Sequence, residues 1–351
     1  MVSERMLGLG TSRSVIRELF EYGKQRAAVV GKENVFDFSI GNPSVPAPPE
    51  VNQIAIRLLQ EENSTILHGY TSAQGDPGVR KAIADNLNQR YGTAYTGTEL
   101  YMTVGAAAAL CCCFNGLTTP DGNEYIVFAP YFPEYKVFIE GAGGTMKVVQ
   151  PHPDTLQIDA QALAAAITPQ TKGVVINSPN NPSGVVYTEE TLKKLRRLLE
   201  DKIIEYGHTI YLVSDEPYRE LTYGVEAPWI PGIYGDTIVC YSYSKSLSLP
   251  GERIGYVYVP GRATQSKQLY AAIAGAARAS GHVCAPSLWQ KVIARCTHLR
   301  PDLEAYDKNR KALYEGLTAM GYEMAKPDGA FYLFIKAPGG DAAYFSEMAK
   351  K

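Results

Sequence analysis

Seven apolar runs of strand length recur between residues 100 and 259, with helical segments between them. They are Leu100–Val104, Tyr125–Ala129, Met146–Val149, Val174–Asn177, Thr209–Ser214, Thr237–Ser242 and Ile254–Val259. Alternation of this kind selects βαβ units and a mainly parallel sheet. The runs are nearly continuous in apolar residues instead of alternating, as in strands covered on both faces. The sequence therefore predicts an α/β fold, a mainly parallel seven-stranded sheet sandwiched by helices, in a large domain over roughly 50–280. Helical stretches follow at Ser266–Ala277, Ser287–Cys296 and Pro301–Met320. Phe331–Ile335 then reads as a strand of a smaller α+β domain, built from residues 281–351 with 1–49.

Ahead of the sheet, Val15, Ile16, Leu19 and Phe20 fall at helical spacing and predict an amphipathic helix within residues 11–30. Residues 35–40 read as a short strand ending in the turn Gly41-Asn42-Pro43. Four prolines between Pro43 and Pro49 break regular structure, and Pro49 then opens a helix through Leu59. The glycine-rich stretch Gly69–Gly78 is a loop leading into a helix over Val79–Tyr91.

Composition excludes more than it selects. With 351 residues, 20% charged, and a net charge of −2, there is no basic excess to drive binding to nucleic-acid phosphates. Cys111, Cys112 and Cys113 are adjacent and point about 100° apart on a helix. They cannot converge on a metal, so no metal is expected, and they read as small core residues in a reducing compartment. No apolar run approaches the ~20 residues of a membrane helix. Residues 1–26 hold no continuous apolar segment, so a signal peptide is not expected there and a cytoplasmic protein is.

Open α/β sheets bind ligands outside the carboxyl ends of their strands, and the informative residues cluster there. Gly105 followed by Ala106 and Ala107 makes a tight turn into a helix N-terminus, where N–H groups attract phosphate; an ordinary turn explains it equally well. Phe132 follows the second run, where aromatic residues usually pack in the core. Asn177-Ser178-Pro179-Asn180-Asn181-Pro182-Ser183-Gly184 is a fixed polar turn. Asp215 ends the fifth run with Tyr218 three residues on, and an aspartate there is commonly a helix cap. After the sixth run, Lys245 sits among Ser242, Ser244 and Ser246, with Arg253 eight residues further. Desolvation and a nearby cation both lower a lysine's pKa and make it nucleophilic. The serines and Arg253 offer donors to a phosphate.

The stretch from Ser242 to Gly255 resembles the pyridoxal-phosphate (PLP) lysine signature of the class I/II aminotransferases, the aspartate aminotransferase-like enzymes of PLP fold type I. Ser242, Lys245, Gly251, Arg253 and Gly255 all fall on it. Asn181-Pro182-Ser183-Gly184 matches the family's Asn-Pro-(Thr/Ser)-Gly motif, and the resemblance spans residues 35–335. It implies pyridoxal 5'-phosphate as cofactor, held by Lys245 as an internal aldimine. The phosphate would rest on Gly105, Ala106, Ala107, Ser242, Ser244, Arg253 and Tyr70, the last reaching across a homodimer into the partner's site. Phe132 would stack on the pyridine, and Asp215 would keep its nitrogen protonated so that the ring acts as an electron sink. Asn181 and Tyr218 would bond the phenolic oxygen, and Gly41 and Asn181 would meet the substrate.

The implied enzyme is a PLP-dependent transaminase, with Lys245, Asp215 and Tyr218 catalytic. An amino acid displaces Lys245, and the freed amine shuttles the Cα proton. A ketimine hydrolyses to a keto acid, and a 2-oxo acid reverses the sequence. The family's carboxylate-clamping arginine near the C-terminus has no match before Lys351, since Arg310 lies in a helical stretch ahead of Phe331. Either the sequence is a fragment of a longer protein or the carboxylate is bound by another group. A PLP lyase or decarboxylase of the same fold is the nearest alternative. A ligand-sensing domain of a transcription regulator would need a helix-turn-helix module that residues 1–34 are too short to hold. A dinucleotide-binding dehydrogenase would need a G-x-G-x-x-G after a strand.

Overall fold

The computed structural model describes residues 2–11 and 15–350. Two compact units divide it, Met1–Ser44 and Val45–Lys351. In the first, helices run over Glu4–Thr11 and Val15–Val30, followed by a 3-10 turn at Lys32–Asn34. The helix expected within 11–30 is thus present from Val15, while residues 12–14 lie outside the described residues. No strand forms over residues 35–40. Asp37 Oδ1 instead accepts from the N–H and the hydroxyl of Ser39, at 2.8 and 2.5 Å. That local bond competes with ladder pairing and ends the extension.

In the second unit all seven apolar runs form strands. They are β1 (Leu100–Thr103), β2 (Glu124–Phe128), β3 (Thr145–Val149), β4 (Thr171–Asn177), β5 (Tyr211–Asp215), β6 (Thr237–Ser242) and β7 (Gly255–Tyr258). Their order across the sheet is β1-β7-β6-β5-β4-β2-β3. β7 is antiparallel to β1 and β6, and every other pair is parallel. The continuous hydrophobicity of the runs has the expected cause. Val127, Val175, Val213 and Cys240 pack on one face against the helices Ala106–Leu117 and Ser266–Ala279. Ile126, Val174, Ile176 and Leu212 pack on the other against the helices Ala160–Ala166 and Glu189–Tyr206. Leu100, Met102, Val239 and Tyr256 bury against Val51, Ile83, Leu87 and Ile293 of three further helices. Cys112 and Cys113 are core residues as expected, Cys111 is only half-buried, and all six cysteines are unbridged.

Phe331–Ile335 does not form the expected strand. Single bridges tie this region, Thr222 to Gly329 and Met324 to Ile335. Beyond them Lys336 N–H reaches Glu323 O at 2.9 Å. The backbone just ahead of the segment bonds to loops, Gly329 N–H to Gly184 O and Ala330 N–H to Leu221 O. A ladder needs a run of partners along one strand.

Antiparallel β7 joins two strand ends. Its first residue, Gly255, pairs with Thr103 at the carboxyl end of β1 and with Ser242 at the carboxyl end of β6. A Cβ at Gly255 would collide with the Tyr241 carbonyl and lie 3.1 Å from Gly105 Cα and 3.2 Å from Ser242 Cα. The missing side chain therefore lets three backbone segments meet at one point. Gly255→Ala should lower stability by about 1–3 kcal/mol, as overpacking does, and loosen the Gly105 and Ser242 turns together. Denaturant unfolding measures the first effect. An unchanged midpoint would show that the contact yields freely.

Candidate active site

Parallel register brings the carboxyl ends of β4, β5 and β6 side by side: Asn177 pairs with Asp215, and Asp215 with Cys240. The turns after these strands hold most of the residues singled out in the sequence. Ser242 caps the single helical turn Tyr243–Ser246, its Oγ accepting from Ser244 N–H at 3.2 Å and lying 2.6 Å from Ser244 Oγ. That turn carries Lys245. Its ammonium is 5.4 Å from the ring of Phe331 and 6.0 Å from that of Tyr218. Burial, and then the charge of Arg253, lower its pKa to about 8. The amine is therefore substantially neutral near pH 8, whereas an ordinary lysine is not.

Asp215 ends β5, buried. Its Oδ2 accepts from the Tyr135 hydroxyl at 2.6 Å, while its Oδ1 has no protein partner among the described residues. Burial raises its pKa to about 7; the Tyr135 bond opposes the rise and the Glu216 charge adds to it. Its backbone carbonyl accepts from Asn177 Nδ2 at 2.8 Å, and Asn177 Oδ1 accepts from Asn181 N–H at 2.6 Å. One asparagine thus brackets the two turns. The Asn181 side chain favours the charged form of Tyr218. Tyr218 is buried in the turn after β5, and its hydroxyl lies 2.6 Å from that of Tyr332. Burial, with Tyr332 next, raises its pKa well above the usual phenol value.

At the β1 edge, Gly105 has φ +90° and precedes the helix Ala106–Leu117, so the N–H groups of Ala106 and Ala107 have no carbonyl within the helix. Arg253 lies across this turn. A Cβ at Gly105 would stand 2.7 Å from its Nη2, which donates to Val104 O at 3.3 Å, while Nη1 donates to Pro250 O at 2.9 Å. A guanidinium has five N–H donors, so these two bonds leave capacity for an anion. Phe132 meets Tyr135 edge-on, with ring centroids 5.6 Å apart.

Tyr70 is 98% exposed. Gly41 belongs to the N-terminal unit. Four residues escaped assignment from the sequence. Tyr135 could have been found, because it lies three residues after Phe132 at the start of a helix. Asn177 was visible in the polar turn but carried no sign of its bracketing role. Phe331 and Tyr332 had no local signal, since they reach Lys245 and Tyr218 from more than 80 residues away.

The sequence profile of the family described as aminotransferase class I and II matches residues 33–350. The chain belongs to the class I and II aminotransferases. It is 32% identical to an aspartate/prephenate aminotransferase of Thermus thermophilus, over 84% of this chain and 74% of that one. A solved amino transferase of Eubacterium rectale is 56% identical, with a TM-score of 0.97, covering all of this chain and 88% of that chain. The aspartate aminotransferase of Thermotoga maritima, also solved, is 30% identical at a TM-score of 0.85, covering 99% of this chain and 88% of its own. The fold of this aminotransferase is accordingly PLP fold type I, and its activity is transamination between an amino acid and a 2-oxo acid.

The bond from Tyr135 to Asp215 generates a prediction for the cofactor-free aminotransferase. A carboxyl whose folded pKa lies above its unfolded value contributes stability below the unfolded value, near 4, and loses it as pH rises through about 7. Tyr135 opposes that loss by bonding the charged form. Tyr135→Phe should therefore cost about 1.5–3 kcal/mol at pH 8 and clearly less at pH 5, where the carboxyl is neutral. Urea unfolding at the two pH values measures this. Equal losses would mean that the bond does not favour the ionised carboxylate.

Proposed function

We propose that the site holds pyridoxal 5'-phosphate and that the residues around it divide its recognition as the signature resemblance implies. The observation that carries the reading is the buried Oδ1 of Asp215, which lacks any protein partner among the described residues. A buried carboxylate oxygen is costly to leave unpaired, and a protonated pyridine nitrogen would satisfy it with a charge-assisted bond. The other residues fit the same group. Lys245 supplies an amine of lowered pKa one strand away. The Gly105 turn is a cradle that a Cβ would fill. Arg253, Ser242, Ser244 and the N–H groups of Ala106 and Ala107 would hold the phosphate, Asn181 and Tyr218 the phenolic oxygen, and Phe132 the ring face.

Bound there, the cofactor supplies an electron sink for the pair left when the substrate Cα–H bond breaks. Lys245 Nζ would take that proton and return it; near pH 8 the amine is available to do so. Asp215, its Oδ2 fixed by Tyr135, would hold the ring nitrogen protonated. Asn181 and Tyr218 would orient the phenolic oxygen, and Asn181 would meet the substrate. The same reading divides the chain into a large domain, 50–280, and a smaller one from 1–49 and 281–351. Aspartate is the first amino donor to test, because relatives carry that name.

The functional unit in this reading is a homodimer. Tyr70 supports it: a tyrosine 98% exposed contributes nothing to its own subunit's core, and its family counterpart reaches the partner's phosphate.

Titration of the protein with pyridoxal 5'-phosphate should produce a visible absorption band that borohydride bleaches into a covalent adduct at Lys245. Lys245→Ala should abolish the adduct and leave the fold intact; an adduct persisting at another lysine would sink the assignment. Turnover in a screen of amino donors should require a 2-oxo acid such as 2-oxoglutarate or pyruvate. Turnover without one would favour the lyase reading. Tyr70→Phe should weaken cofactor retention, and sedimentation should show a dimer. A fully active monomer would contradict the shared site.

A further inference from the structure

Tyr332 enters the site from far along the chain, and its loop is locked to two of the turns that build it. The Gly184 carbonyl accepts from Asp328 N–H at 3.0 Å and from Gly329 N–H at 2.8 Å. Ala330 N–H donates to Leu221 O, and Tyr223 N–H to Asp328 O, at 2.8 and 2.9 Å. Glycine is required on both sides of the joint. A Cβ at Gly184, which has φ +71°, would stand 2.6 Å from Pro327 Cβ, and one at Gly329 would stand 2.6 Å from Pro179 Cβ. The loop after β4 and the turn after β5 thus fix where Phe331 and Tyr332 lie. Tyr218 meets both rings nearly edge-on, at 5.7 and 5.6 Å, and Phe331 stacks on Tyr306 at 5.7 Å. A hydroxyl placed this way has little freedom to move.

We infer that Tyr332 is a positioning residue for Tyr218: its hydroxyl, 2.6 Å away, donates to Tyr218 and so directs the Tyr218 proton toward the phenolic oxygen of the bound cofactor. The inference rests on the proposed cofactor reading. Each phenol carries one proton, and each oxygen can also accept. Two hydroxyls at this distance share a single hydrogen bond, which can run either way. If Tyr218 donates to Tyr332, its proton is withheld from any ligand. An anionic oxygen beside Tyr218 and Asn181 reverses the bond, so that Tyr332 donates to Tyr218 and Tyr218 to the ligand. Hydrogen bonds in series strengthen one another in a low-dielectric setting. With the bond so reversed, the second phenol makes Tyr218 a better donor.

The test uses the holoenzyme and reads the protonation midpoint of its visible absorption band, followed against pH. Tyr332→Phe removes one hydroxyl and keeps the ring. Losing a hydrogen bond of ordinary net strength should raise the midpoint by about 0.4–1 pH unit, because the phenolate is less well stabilised. Tyr218→Phe should raise it further. In the Tyr218→Phe background, adding Tyr332→Phe should change nothing, since there is no Tyr218 hydroxyl left to direct. Equal shifts from Tyr332→Phe in both backgrounds, or no shift in either, would overturn the inference. Should Tyr332→Phe fail to fold, a fluorinated tyrosine placed at position 332 keeps the ring and makes its hydroxyl a stronger donor, so the midpoint should fall, and an unchanged midpoint would overturn the inference. A wild-type protein that gives no visible band at all would instead refute the cofactor reading, so the two failures are distinguishable.

Discussion

The site depends on the parallel register of β4, β5 and β6. Ladder pairing places Asn177 beside Asp215 and Asp215 beside Cys240, so the turns after these strands emerge at one edge of the sheet. Hydrogen bonds every two residues fix that alignment, and a slip of one residue would turn every side chain to the opposite face. Two core layers resist such a slip, because each strand buries alternate residues into a different helical layer. Antiparallel β7 adds the remaining geometry. Gly255 draws the turns carrying Gly105 and Ser242 together, and Arg253 enters from the segment just before it. Fold stability and site geometry therefore share the same contacts.

Within this frame the electrostatics are arranged in opposition. Burial raises Asp215 to about 7 and lowers Lys245 to about 8, so two groups, one ending β5 and one in the turn after β6, each resist their usual charge. Tyr135 partly restores the carboxylate, and Arg253 pushes the lysine further toward neutrality. Such opposed shifts accompany sites that manage protons. A carboxylate half-satisfied by a tyrosine, with its other oxygen bare, is a costly arrangement for the protein alone. It becomes favourable when a cationic ligand group completes it.

Most of this was legible in the sequence, and the reason differs by element. The seven strands were visible because a doubly covered strand must be apolar throughout, whichever neighbours it has. Lys245, Asp215, Asn181 and Arg253 were visible because strand-end chemistry is local and their spacings fit a known signature. Tyr135, Asn177 and Tyr332 act through partners that only the fold supplies, at sequence separations of 80, 38 and 114 residues. The strand expected at 331–335 failed for a related reason. Its apolar residues mark burial, but the nearby backbone pairs with Gly184 and Leu221 in turns instead of with a strand. Residues 35–40 failed through local chemistry, the Asp37–Ser39 bond.

The central claim is that the open oxygen of Asp215 is completed by a protonated ring nitrogen. The direct measurement compares the affinity of the cofactor-free protein for pyridoxal 5'-phosphate with that for its analogue carrying C–H in place of the pyridine nitrogen. A charge-assisted bond of about 1.5–3 kcal/mol predicts roughly 10–150-fold tighter binding of the natural cofactor. That preference should vanish in Asp215→Ala. Equal affinity of the unaltered protein for the two compounds would contradict the account.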